Sequence, residues 1–256
     1  MNKVSLYNKE MYGEVTTTNV LIDQLFDMLD DGVFVNDKLK WLDPCAGTGV
    51  FFERLFSSRL LSLPSHKNNL FWMTEINQCH TKSLKKKFVN IANVKNINYL
   101  DFKERDFDII VGNPPFQVDG SIKVPTKKGE KTKDGKEMWS KFITHSVDLL
   151  KDGGILLFIT PAIWLKKDHK MHKVILQYKL EKMACYDAGE ANKLFKGNCQ
   201  TPIVLFKLVK EKVTNKVQMT NVGEMLYMFH SDESIPMKHY SVLSNLKKLV
   251  EVFFGY

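Results

Sequence analysis

Short apolar runs and helical stripes take turns along most of this chain. Runs with the length of buried strands fall near residues 39–43, 70–74, 96–100, 107–112, 154–160, 183–187 and 201–209. Between them, apolar residues three and four apart predict helices near 49–62, 77–90, 138–151 and 166–179. Ahead of all these, Asn19 is placed to cap a helix reaching about Asp30, with Val20, Leu21, Leu25 and Leu29 turned inward. Trp139, Ile143, Val147 and Leu150 keep helical spacing and read as a core stripe. Strands alternating with helices predict an α/β fold built on a doubly wound, mostly parallel, seven-stranded sheet. A lysine-rich break at 207–216 follows the last strand, and beyond it one short hairpin and a helix from about Tyr240 to Phe253 are expected.

Composition sets the limits of that picture. With 256 residues, 44% of them hydrophobic, the chain can bury one substantial core. Residues 1–210 are assigned to a single domain and 211–256 to a short C-terminal extension, at or below the lower end of ordinary domain size. The N-terminus is polar and no apolar run reaches membrane-spanning length, so no membrane association is expected. The four cysteines form no C-x-x-C pair, and His169 and His172 stand three apart with no third ligand nearby. A metal is therefore not expected, and a reduced, cytoplasmic setting is.

The net charge of +8 favours a polyanionic partner. Residues 211–256 hold five lysines and five acids, so the excess lies wholly in residues 1–210. Six lysines, including Lys123, Lys127 and Lys128, crowd into 123–136 against Glu130 and Asp134. That segment is a candidate for contacts with phosphates, with a merely solvated surface loop as the alternative.

Three pieces of chemistry stand out. Asn113-Pro114-Pro115-Phe116 directly follows the apolar run 107–112. An amine conjugated to a ring is a poor nucleophile until its N–H bonds are held. An Asn side-chain oxygen and the carbonyl of Pro114 supply two acceptors for them, and Phe116 offers a face for stacking. A stiff turn after a strand is the plainer reading of the same residues. Second, Asp43-Pro44-Cys45-Ala46-Gly47-Thr48-Gly49 joins a strand to a helix, an arrangement in which small residues let backbone amides approach a ligand. It has the spacing of neither a phosphate loop nor a dinucleotide fingerprint. Third, Asp43, Glu75 and Asp101 end three successive apolar runs, where an open α/β sheet binds its ligands, although each alone suits a helix cap.

Taken together these residues resemble the S-adenosylmethionine-dependent N6-adenine DNA methyltransferases of restriction-modification systems, over about residues 11–209. The resemblance implies the class I, Rossmann-like methyltransferase fold and S-adenosyl-L-methionine as cofactor. It places Tyr12 and Thr17 in the methionine-binding motif, where Thr18 stands at a position that is usually proline. It makes Asp43 to Gly49 the first cofactor loop, Glu75 the ribose acid, and Asp101 with Phe102 the adenine pair. Asn113 to Phe116 become the catalytic motif, with Asn113 also touching the cofactor. Phe195 is implied as the second aromatic against a base flipped out of double-stranded DNA. The order of these motifs is that of the gamma class. Such enzymes usually carry a recognition domain after the catalytic one, so a separate specificity subunit or a second copy is an implied partner. RNA guanine-N2 methylation and a catalytically silent DNA-binding subunit remain as alternatives. Methylation of a protein glutamine amide resembles less well, because that family prefers Tyr at position 116.

Overall fold

The structure is a computed structural model that describes residues 15–60, 69–117, 137–215, 217–222 and 225–237. Its strands are β1 (Trp41–Asp43), β2 (Phe71–Glu75), β3 (Asn93–Asn96), β4 (Phe107–Gly112), β5 (Leu150–Pro161), β6 (Tyr178–Tyr186), β7 (Ile203–Lys212), β8 (Val217–Val222) and β9 (Met225–His230). The helices are α1 (Asn19–Phe26), the single turn α2 (Gly32–Val35), α3 (Val50–Ser58), α4 (Gln78–Lys87), α5 (Trp139–Leu149), α6 (Lys170–Ile175) and α7 (Ala188–Leu194).

One sheet runs in the order β3-β2-β1-β4-β5-β7-β6-β8-β9. β3 through β5 pair in parallel, whereas β7 runs antiparallel to both β5 and β6. The expected seven-stranded, mostly parallel sheet is therefore a mixed, nine-stranded one. The two extra strands among the described residues are the hairpin β8–β9, which adds to the sheet through the parallel pairing of β8 with β6, and β7 supplies the antiparallel pairings at the centre. A boundary at residue 210 falls inside β7.

Strict alternation along the central strands feeds two cores, one on each face. Ile110, Leu156, Phe158, Val204 and Phe206 point into the cluster beneath α5 and α6. Ile109, Val111, Leu157, Ile159 and Leu205 point into the cluster beneath α1, α3 and α4. A strand buried on both faces must be apolar at nearly every position, which is why these segments read as continuous runs.

Several element boundaries shift from expectation for visible reasons. α1 ends at Phe26, its N-cap residue is Thr18 rather than Asn19 and makes no side-chain capping bond, and Val20 is exposed while Leu21, Leu25 and Leu29 are buried. The run near 96–100 is not a strand: β3 ends at Asn96 and a 3₁₀ turn, Tyr99–Asp101, follows, capped by the Asn98 side chain on Leu100 N–H. Only Lys170–Ile175 of the expected 166–179 helix is helical, because residues 178–182 pair with β7 and turn Leu180 into the core. The helix expected at 240–253 lies outside the described residues.

Candidate active site

The carboxyl ends of β1, β2 and β4 converge on a cavity of about 260 Å³. Its walls come from Val15–Thr17, the loop Pro44–Thr48, Glu75 to Asn77 with His80, Asn98, the turn at Asn113, Pro115 and Gln117, and Met138 with Phe142 of α5.

The loop after β1 is held open by backbone geometry. Gly47 and Gly49 have φ of +53° and +83°, in the left-handed region. A side chain at Gly49 would also meet Phe88 Cε2 at 2.6 Å and Leu84 Cδ2 at 2.7 Å, whereas Gly47 faces open space. The loop is then tied to β2: Ala46 N–H donates to Thr74 O at 3.1 Å and Thr74 Oγ1 to Pro44 O at 2.6 Å.

Glu75 is a hub of this site. Its Oε2 accepts from Gly47 N–H at 2.8 Å and its Oε1 from Asn77 N–H at 2.7 Å. Each carboxylate oxygen retains a further lone pair, so a fixed Glu75 can still accept from ligand hydroxyls. Asp43 lies fully buried beneath the loop. Its Oδ1 accepts from Cys45 N–H at 3.2 Å, while Oδ2 has no partner among the described residues. Burial pushes its pKa up to about 8, the nearby Glu75 adds to the rise, and the Cys45 N–H opposes it.

Asn113 Nδ2 donates to Thr17 Oγ1 at 3.1 Å, and Asn113 Oδ1 is a buried acceptor with no partner among the described residues. Cys45 Sγ donates to the Asn113 carbonyl at 3.3 Å, tying the loop after β1 to the turn after β4. Burial and the carboxylates of Asp43 and Glu75 push that thiol well above its ordinary pKa, so it stays the neutral donor. Gly112 brings the turn against the Pro44 ring, where an added Cβ would lie 3.1 Å from Cδ.

Thr17, Pro44, Ala46, Gly47, Thr48, Glu75, Asn113 and Pro115 all line the cavity, as the sequence suggests. Asp43 and Gly49 shape it from behind. Other expected residues stand elsewhere. Asp101 is exposed and outside the cavity wall, and Phe102 is buried against Trp72 and Phe107. Asn98, three residues earlier and nearer the end of β3, takes the place on the wall. Phe195 is 1% exposed in the core under α1, so it presents no free ring face. Phe116 is half-buried between the two clusters and Pro114 is buried. Tyr12, Lys123, Lys127 and Lys128 lie outside the described residues. Asn77, Asn98, Gln117, Met138 and Phe142 escaped sequence reasoning. Asn77 and Asn98 each stand two residues beyond the observed end of a strand, β2 and β3.

An open α/β sheet whose glycine loop and acids meet at the strand ends is the architecture of class I S-adenosylmethionine-dependent methyltransferases. A protein of Listeria monocytogenes described as a putative member of that class shares it: TM-score 0.57, 12% identity, 98% of this chain and 72% of that one. The pattern of the Eco57I restriction-modification methylases matches residues 5–195, and the chain belongs to that family. It is 39% identical over 74 residues to the type II methyltransferase M.TthHB8I of Thermus thermophilus, a stretch that is 24% of this chain and 17% of that protein. The DrdV–DNA complex matches in fold over 84% of this chain and 28% of that one, with TM-score 0.59 and 15% identity. The chain thus spans well under two thirds of the length of M.TthHB8I and of DrdV.

Proposed function

We propose that this protein transfers a methyl group from S-adenosyl-L-methionine to the N6 amine of adenine in double-stranded DNA. Membership of the restriction-modification methylases supports the reaction class and the polyanionic substrate. The observation that carries the amine is the state of Asn113. Thr17 occupies its amide nitrogen, which leaves Oδ1 as a fixed acceptor with no partner among the described residues. A buried acceptor left unpaired costs about 1–3 kcal/mol, and an incoming N–H removes that cost.

The cavity fits the cofactor by its donor set. Glu75 would accept the ribose hydroxyls, the Gly47 region gives room for close approach, and the unpartnered Asp43 Oδ2 lies under the loop as a latent charge for a cationic ligand. The bound cofactor supplies an electrophilic methyl group on a sulfonium. The protein's share is then positioning and hydrogen bonding. Asn113 Oδ1 and the Pro114 carbonyl hold the two N–H bonds, so that the nitrogen lone pair is freed from the ring as the amine pyramidalises. Phe116 is the stacking surface. Because Oδ1 is buried, a paired adenine has to leave the helix to reach it. Recognition of a particular sequence is assigned to a partner subunit, a second copy or segments outside the described residues.

The test uses labelled cofactor with duplex DNA from a methylation-deficient host, structured RNA and protein, followed by identification of the labelled group. N6-methyladenine in DNA is expected. Asn113→Ala should lower turnover by roughly a hundredfold or more, with cofactor affinity within about threefold of wild type. Wild-type turnover in that variant, or label confined to RNA or protein, refutes the reading.

A further inference from the structure

The chain leaves the catalytic turn at Gln117 and comes back at Glu137, where the two residues form an isolated antiparallel bridge. Met138 N–H donates to Phe116 O at 3.3 Å beside it. Gln117 and Met138 both line the cofactor cavity, so this crossing sets the outer edge of the site. A lone bridge is a weak restraint on a side chain that must hold a base.

The Glu137 carboxylate anchors it. Oε1 stands 3.1 Å from His169 Nε2, and Oε2 stands 3.0 Å from Lys170 Nζ. His169 caps α6 by accepting Met171 N–H at Nδ1, 3.2 Å away. With Nδ1 acting as the acceptor, the ring proton sits on Nε2 and is donated to Glu137. The imidazole also stacks on the buried Trp139, with centroids 5.6 Å apart and planes at 21°. Met171 and Ile175 root α6 in the core. The exit of the catalytic turn is therefore fastened through one carboxylate to the N-terminal end of α6.

Resting on the function proposed above, we propose that Glu137 and His169 are a positioning pair for the target base, acting through Gln117 and Phe116. The Glu137 side chain is 31% exposed and that of Lys170 68%, so the ion pair adds little to global stability. Small displacements of a reactive geometry, in contrast, cost up to about a hundredfold in rate. The pair should therefore matter to turnover more than to folding.

The test compares Glu137→Ala, Glu137→Gln, His169→Ala, Lys170→Gln and the Glu137→Ala/His169→Ala double variant of the full chain. Thermal midpoints, S-adenosylmethionine Kd, and kcat and KM on methylation-free plasmid DNA are measured. Glu137→Ala and His169→Ala should each lower kcat/KM for DNA about tenfold or more, with cofactor Kd near wild type. Glu137→Gln keeps an acceptor for Nε2–H and should stay within about threefold, as should Lys170→Gln. The double variant should be no worse than the poorer single one, since the two act as a unit. Losses that multiply, a Gln variant as poor as the Ala variant, or a loss confined to cofactor affinity or melting overturns the pair. An active wild type with an unimpaired Glu137→Ala removes this proposal alone, whereas a wild type that methylates no DNA removes the function reading and this proposal with it.

Discussion

Two glycines two residues apart in the first loop should fail in different ways when replaced by alanine. Both are left-handed, at φ +53° for Gly47 and +83° for Gly49. An L side chain there costs roughly 1–2 kcal/mol, partly offset by about 0.4–1 kcal/mol from the stiffer unfolded chain. Gly47→Ala meets nothing within 4 Å, so its net destabilisation should stay near or below about 1 kcal/mol. At Gly49 the new methyl lies 2.6 Å from the Phe88 ring and 2.7 Å from Leu84, both buried, and overpacking adds roughly 1–3 kcal/mol. Gly49→Ala should thus be less stable than Gly47→Ala by about 1–3 kcal/mol in urea unfolding with unchanged m. Cofactor titration should reverse the order: Gly47→Ala puts its methyl into the cavity and loses affinity, while the folded fraction of Gly49→Ala keeps more of it. Equal stabilities would refute the packing argument, and full affinity in Gly47→Ala would refute the placement of the cofactor.

Asp43 has a folded pKa near 8 against an ordinary 3.8, so the folded state binds the extra proton between those values and stability falls as pH rises through that window. Asp43→Asn should flatten this slope between pH 4 and 8 in thermal unfolding; an unchanged slope would sink the assignment. A cationic ligand favours the carboxylate, so wild-type cofactor binding near pH 7 should release a proton, visible as calorimetric heats that differ between buffers of unlike ionisation enthalpy. Glu75→Ala should weaken cofactor binding by roughly 1.5–3 kcal/mol. Asn98→Ala should weaken it measurably while Asp101→Ala does not, and the opposite result would return the adenine contact to Asp101. Phe195→Ala should cost about 3–5 kcal/mol of stability through its cavity, measured by denaturant unfolding, and a stable variant that loses only DNA binding would show that the ring turns outward.

Legibility in the sequence followed locality. β4 is legible at both ends because Ile109 to Val111 are apolar on both faces and the run is stopped by Asn-Pro-Pro. Asp43, Glu75 and Asn113 were visible because a strand end, a turn and a reactive group coincide in a few residues. Asp101 and Asn98 are equally polar in the sequence, and only the end of β3 at Asn96 and the 3₁₀ turn show that Asn98 is the one lining the cavity. The burial of Phe195 is likewise not legible locally, since the cluster it joins is built largely from residues of α1 and α3, far away in sequence. The anchoring of Glu137 by His169 spans 32 positions and leaves no local trace.

The position of β7 also orders events in time. It lies between β5 and β6 and runs against both, yet it is made after them. A nascent chain that has emerged only as far as α7 holds two strands with open edges and nothing between them. Such edges are templates for pairing with other chains. On the ribosome, then, the sheet stays divided until residues 203–212 are free to slot into the gap, and a premature stop in the stretch before them leaves a product suited to aggregation rather than a smaller folded domain.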